Sequence, residues 1–368
     1  MKSATAKLRC HSDRDHAHTI HAFTALALLA CFAGSAPAQS VKSAPRTLSA
    51  EQMTRASVSS SGDQCNALAS DALISRDGRF VAFSSDATNL VPGDTNAVRD
   101  AFVRDRLARK TVRVSVSSAG IEGNALSSVS DPCPMSADGR FVVFYSNATN
   151  LVAGDTNLFR DVFVRDLKLG TTVRVSVSSG GVQGNGLSSS PTISADGRFV
   201  AFYSDATNLV AGDTNLFRDC FVRDLQTSTT TRISISSAGA EGDDLSSGPI
   251  IAAGGRYVAF YSSADTLVVG DTNLFRDVFV RDMQTSTTTR VSLSSAGVQG
   301  DKLSSEPTIS SDGRYVCFYS DATNLVAGDT NARQDVFVHD RDPDGNGIFD
   351  EGNGTTRRES SWMRCLRR

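Results

Sequence analysis

The chain repeats itself with a period that leaves little freedom of fold. Arginines at 55, 113, 174, 232 and 290 each open a unit, so successive units begin 58, 61, 58 and 58 residues apart. The stretch VAGDTNLFRD stands at 152–161 and again, unchanged, at 210–219, with VVGDTNLFRD at 268–277. VPGDTNAVRD from Val91 and VAGDTNARQD from Val326 complete the set. A unit of this size cannot bury its own apolar faces, so neighbouring copies must do it.

The unit from Arg174 shows how. PTIS reads as a short strand, and ADGR as an Asp-Gly hairpin turn. FVAFYS follows as a second strand, DCFVRD as a third, and TTTRISIS, running into the next unit, as a fourth. In the second strand Phe199, Ala201 and Tyr203 share one face and Val200 and Phe202 the other. A sheet apolar on both sides cannot be half solvated and has to be sandwiched. The prediction is an all-β chain, a β-propeller of four-stranded antiparallel blades stacked radially. Five blades is the direct count, with six as the alternative if the chain is supplemented. The first unit opens with ASVSS at Ala56, a fourth strand without a third, and the last ends in the degraded TTRRESS. This phase predicts that the N-terminal strand closes the last blade. The expected organisation is an export segment (1–38), a leader (39–54) and a propeller (55–354). Its units are 55–112, 113–173, 174–231, 232–289 and 290–354, followed by a basic tail over 355–368.

The combination of ISADGRFVAFYS (193–204) with DVFVRDL (161–167) resembles the TolB-type, WD40-like propeller repeat, and the likeness runs over about residues 55–340. The resemblance implies the fold. It leaves function open, because that repeat serves periplasmic scaffolds, peptidase gating domains and sugar-acting enzymes alike. This chain departs from the short form of the repeat through longer loops, and Gly254 replaces the turn aspartate in the fourth unit.

A basic start, the apolar run AFTALALLACFAG (22–34) and SAPAQ, with Ala36 and Ala38 as an A-x-A site, read as an export signal cleaved near Ala38. The run is too short to span a bilayer, and no integral membrane span is expected. The alternative is a lipoprotein anchored at Cys31 within LLAC. The mature protein is thus expected in the periplasm or secreted, as a monomer. Net charge is −3 overall, but four basic against two acidic residues precede residue 39, and five arginines against Glu359 follow residue 354, leaving the body at −9. An acidic body argues against nucleic acid as a partner.

In an up-and-down blade the loop between strands two and three shares one face of the disc with the link between blades. Both long segments, SDATNLVAGDTNLFRD and SSGGVQGNGLSS, fall on that face, which is where binding is expected. The candidate binding residues are Phe159, Arg160, Phe217, Arg218, Phe275 and Arg276. Asp213, Asn215 and Asp219 of GDTNLFRD offer hard oxygens to a metal, or else close the loop by turn chemistry. Asp342, Asp344, Asn346 and Asp350, with Gly347 at the bend, fit a calcium loop of structural role in the last hairpin. Cys65 and Cys133 fall in links entering adjacent blades and are expected to pair as a disulfide. Cys220 and Cys317 sit in apolar strands, read as small buried hydrophobes.

Catalytic signals are weak. Once the export segment is removed, His339 is the only histidine, and it reads as a surface substitution for a strand arginine. The expectation is a non-enzymatic binding or scaffold module for a protein, peptide or envelope polysaccharide. The alternative is a polysaccharide hydrolase or lyase with acidic residues in the central channel.

Overall fold

A computed structural model of the chain describes residues 54–75, 77–129 and 133–359. The export segment with Ala38 and Cys31, the leader to residue 53 and the tail from 360 lie outside them. The described residues form one compact unit beginning at Thr54.

Among the described residues twenty strands make five sheets, each antiparallel and in chain order. Blade 1 holds β1 (Ala69–Ile74), β2 (Phe80–Ser85), β3 (Asp100–Asp105) and β4 (Lys110–Arg113). Blade 2 holds β5 (Ser127–Ser128), β6 (Phe141–Ser146), β7 (Asp161–Asp166) and β8 (Thr171–Arg174). Blade 3 holds β9 (Ser188–Ile193), β10 (Phe199–Ser204), β11 (Asp219–Asp224) and β12 (Thr229–Arg232). Blade 4 holds β13 (Ser246–Ile251), β14 (Tyr257–Ser262), β15 (Asp277–Asp282) and β16 (Thr287–Arg290). Blade 5 holds β17 (Ser304–Ile309), β18 (Tyr315–Ser320), β19 (Asp335–Asp340) and β20 (Thr355–Glu359). This is the five-bladed propeller that the repeat predicts.

The two-faced second strand does what its pattern requires. Val200 and Phe202 pack with Val143, Val162, Val164 and Val175 of blade 2. Ala201, one step along the pleat, packs with Val258, Phe260 and Phe279 of blade 4. All three are fully buried. Within each blade the central strands pair a phenylalanine with a phenylalanine, such as Phe202 and Phe221 with ring centroids 5.8 Å apart. Burying such a ring contributes about 1.5–3 kcal/mol, so the interfaces between blades carry most of the stability.

The Asp-Gly turns serve those interfaces too. Gly139, Gly197, Gly255 and Gly313 lie beneath the rings of Phe80, Phe141, Phe199 and Tyr257 on the preceding blade. A Cβ on Gly197 would stand 2.3 Å from the Phe141 ring, and its φ of +76° is itself one that favours glycine. The arginine after each glycine stacks on the adjoining ring and pairs with an aspartate at the end of the third strand. Arg198 lies 4.7 Å from the Phe199 centroid and 2.7 Å from Asp224.

Closure differs from the sequence expectation. β20 pairs along β19 from Thr355 to Glu359, so the chain's own C-terminal segment is the fourth strand of blade 5. The tail expected from residue 355 therefore begins as ordered strand. The N-terminal strand does not close the last blade. Residues 54–66 act instead as the link of blade 1, where the Val58 and Ser59 carbonyls accept hydrogen bonds from Thr111 Oγ1 and the Arg104 guanidinium. The same two bonds tie the links of blades 2 to 4 to their own blades, as with Val177 and Ser178 to Thr230 and Arg223, and blade 5 keeps the threonine bond alone. Among the described residues, four clusters join successive blades and none joins blade 5 to blade 1. Gly78 accordingly has no aromatic ring over it. Val336, on the outer face of blade 5, is half-buried where Val162, Cys220 and Val278 are fully buried.

Candidate functional site

The two long segments do share one face, and they hold each other. Asn215 Nδ2 donates to the Gly242 carbonyl (2.8 Å) and Asn208 Nδ2 to the Gln183 carbonyl (2.9 Å), tying the loop between second and third strands to the flanking links. Blades 2 and 4 repeat this with Asn157 to Gly184 and Asn273 to Gly300.

The GDTN aspartates are turned inward onto the arginine that opens the following unit. Arg232 Nη1 lies 3.2 Å from Asp213, 3.1 Å from Asp219 and 3.0 Å from Glu241. Its Nη2 donates to the Gly212 carbonyl at 3.2 Å, and Ser234 Oγ donates to Asp219 at 2.5 Å. A guanidinium therefore occupies the place between the carboxylates that the metal reading gave to a cation. Asn215 is spent on the loop itself, its Oδ1 accepting from the Phe217 amide. Blades 1, 2 and 4 use Arg113, Arg174 and Arg290 in the same way, and blade 5 uses Arg358. The Asp213 side chain is only 1% exposed, yet neither of its oxygens receives a hydrogen bond. Burial, with Asp219 and Glu241 adding to it against Arg232, pushes its carboxyl up to about 6. Burial raises Asp271 to about 6 as well, against the pull of Arg290.

This network props up the binding-face residues. Each loop turns outward at a leucine of positive φ: Leu158 (59°), Leu216 (62°) and Leu274 (57°). These leucines are about four-fifths exposed, and Phe159, Phe217 and Phe275 beside them are 42–46% exposed. Blades 1 and 5 place Ala97 and Ala332 at the same positive-φ position, so the apolar knuckles form a crescent over blades 2 to 4. Arg160, Arg218 and Arg276 do not point outward with them. They lie over Tyr145, Tyr203 and Tyr261 at 4.5, 4.2 and 4.7 Å from the ring centroids. Arg218 is further held by Asp205, with Nε at 2.7 Å. Sequence reasoning placed the arginines on the right face and missed their tyrosines, which each stand fifteen residues upstream in an apolar strand. The link is a contact between a strand end and a loop end, which no local pattern announces.

Next to this layer lies a cavity of about 630 Å³. Its walls include Tyr203, Tyr261, Tyr319, Arg218, Pro249 and Glu306. The first strands lining it are bulged, with Ser190 and Glu306 at φ of 50° and Gly248 at 61°.

The other expected sites lie elsewhere. In the last hairpin the four calcium candidates each have partners within the chain. Asp350 is committed to the buried Arg341, whose Nε lies 2.9 Å from Oδ1 and whose Nη2 reaches Oδ2. Asp342 accepts from the Asn346 and Gly347 amides (3.0 and 3.1 Å), and Asp344 from Asn346 Nδ2 and Asn353 Nδ2. Among the described residues no three acidic, histidine or cysteine side chains converge as a metal site. Arg341 stacks with Tyr257 and Phe349, and the insertion caps blade 4.

Cys65 and Cys133 are free thiols and do not pair. Cys65 packs against Val81, Phe83 and Phe102 of blade 1. Cys133 lies in blade 2, and its carbonyl accepts from the Ile193 amide of blade 3. Cys220 is a free buried thiol as expected, whereas Cys317 is disulfide-bonded. His339 is buried, not at the surface, because the arginine it replaces is an inward residue in the other blades. Its Nδ1 lies 2.8 Å from Thr356 Oγ1, and burial lowers its pKa to about 4.

No helix among the described residues is long and apolar enough to cross a membrane. No protein-family model matches the chain. No curated protein matches it either. Among solved structures it is similar to TolB from Acinetobacter baumannii, at 14% identity and a TM-score of 0.43, over 80% of this chain and 55% of that one. It is likewise similar to a putative TolB from Agrobacterium tumefaciens, at 15% identity and 0.43, over 79% of this chain and 80% of that one. A third likeness is to the β-propeller domain of the trilobed protease from Pyrococcus furiosus, at 11% identity and 0.43, over 74% of this chain and 69% of that one. The chain thus spans about half the length of the first of these. Likeness at this level carries no argument about what the chain does, and the propeller reading rests on its own strands.

Proposed function

We propose that the protein is an exported binding module that holds its partner on the long-loop face, through the apolar crescent of blades 2 to 4. The partner class is a protein, peptide or polysaccharide of the cell envelope. The observation that carries this reading is the strain and exposure of the Leu-Phe knuckles. A left-handed leucine costs about 1–2 kcal/mol relative to glycine, and burial returns none of it here. Exposed apolar groups held in a costly conformation by a buried ionic network suit contact with something outside the chain. Export is supported by the basic start, the apolar run and the A-x-A site.

The test separates folding from capture. Replacing Leu158, Leu216 and Leu274 together by glycine should raise the melting temperature. Replacing Phe159, Phe217 and Phe275 by serine should leave it nearly unchanged. Both variants should retain at least about tenfold less envelope material than the parent chain, a loss of about 1.4 kcal/mol or more. Equal retention by parent and variants would remove the crescent from the binding face.

A further inference from the structure

Each blade hands one apolar face to the blade that follows it. Ala201 and Val222 of blade 3 pack with Val258, Phe260 and Phe279 of blade 4, and Ala259 and Val280 of blade 4 pack with Val316, Phe318 and Phe337 of blade 5. In blade 5 the same two positions hold Cys317 and Val338, which are paired across β18 and β19. The facing lip, on blade 1, is open. Ile193 and Ile251 seal against their preceding blades at 3% and 4% exposure, whereas Ile74 of blade 1 is 61% exposed. Cys317 and Val338 are nevertheless only 4% and 3% exposed, and they belong to none of the apolar clusters among the described residues.

This face carries a covalent marker. Cys317 is disulfide-bonded, and its partner is none of Cys65, Cys133 and Cys220, which are free. The chain has seven cysteines, so the partner is Cys10, Cys31 or Cys365. Cys10 and Cys31 precede the A-x-A site at Ala36 and Ala38 and leave with the export segment, a step that rests on the export reading above. Cys365 remains.

The reach of the chain agrees with this. Cys317 pairs with Val338 and Val338 with Arg357, so the three lie in one row across blade 5. Strand spacing puts Arg357 about 10 Å from Cys317. From Arg357 to Cys365 the chain advances eight residues, which extend to about 26 Å and so cover that distance with room for a turn back. The same segment carries Trp362, Met363 and Leu366, the apolar side chains that a cover needs.

We propose that Cys317 is bonded to Cys365 and that residues 360–368 are clasped over the open face of blade 5, taking the place of a following blade. The bond forms when the two thiols give up two protons and two electrons, one Sγ–Sγ bond replacing two S–H bonds, while a disulfide oxidant of the export compartment is reduced to its dithiol. The cover is thus fixed only in the oxidised chain.

The test uses the mature chain, purified from the exporting compartment without reductant, alkylated and digested with trypsin. Residues 315–333 should appear joined to residues 365–367 as one species that separates on reduction, with Cys65, Cys133 and Cys220 alkylated beforehand. Cys317 joined to any other cysteine, or Cys317 and Cys365 both alkylated without reduction, would overturn the proposal. The intact mass of the same sample reports export separately. A chain that starts near Gln39 with both thiols alkylated sinks the clasp and keeps export, whereas a chain that retains its first 38 residues and the 317–365 bond does the reverse. Trp362 is the only tryptophan and reports on the cover. Reduction should move its emission to longer wavelength and lower the melting temperature by about 5 °C. Cys365→Ser should show both changes before reductant is added and no further change after it. A fully reduced parent with unaltered emission and melting temperature, or a Cys365→Ser chain that still responds to reductant, would also overturn the clasp.

Discussion

At the scale of single residues, the chain uses repeated charge as internal scaffold. Arg232 gathers Asp213, Asp219 and Glu241 at 3.0–3.2 Å, and its own side chain is 9% exposed. Removing a buried cation leaves its carboxylates unpaired, so Arg232→Met should destabilise the fold by about 3 kcal/mol in denaturant titration. The carboxylates also set a pH dependence. Asp213 and Asp271 have folded pKa values near 6, above the ordinary 3.8, so the folded state binds their protons more tightly. Their contribution is full below the ordinary value and is lost as pH rises through about 6. His339 works the other way, its pKa lowered to about 4. Its contribution is present above the ordinary histidine value and disappears as pH falls through the folded one. Melting temperatures of Asp213→Asn and Asp271→Asn should therefore fall less than those of the parent between pH 5 and pH 7. An unchanged slope would mean that these aspartates are not held as described.

At the scale of elements, the Asp-Gly turn was legible as a hairpin from its dipeptide alone. Its second duty, as the seat for an aromatic ring of the preceding blade, was not, because the ring arrives from a different unit. The two duties can be separated. Gly78 and Gly197 have nearly the same φ (+73° and +76°), but only Gly197 lies under a ring. Gly78→Ala should lose about 1 kcal/mol to backbone strain, whereas Gly197→Ala should lose about 2–4 kcal/mol through strain and overpacking together. Equal losses would show that the blade interface yields freely. His339 and the paired reading of Cys65 and Cys133 went astray for the same reason. Strand three is buried on both faces, and a link belongs to the blade it enters, and both facts depend on partners that lie far off in sequence.

At the scale of the whole molecule, the repeat predicted five blades and the stacking that buries Val200 and Phe202. It did not predict how the ends meet. The phase of the units suggested an N-terminal strand for blade 5, but a degraded TTRRE is still able to pair, and Thr356 repeats the bond of its counterparts by reaching the Leu293 carbonyl. Local continuity prevailed over a long-range closure whose entropy is unfavourable. A chain ending at Gly354 should accordingly unfold at a clearly lower temperature in calorimetry, and an unchanged transition would restore the N-terminal closure.

The sequence by itself determined the blade, its number and the face that carries the long loops, because each follows from alternation, turn chemistry and period within one unit. Tertiary structure alone decided which charges are spent inside and which remain available. An aspartate in GDTN meets its arginine only when a loop folds back over the next fourth strand. Identical letters acquire different roles here because electrostatic partners are chosen by distance in space, and the chain's spacing records only distance along itself.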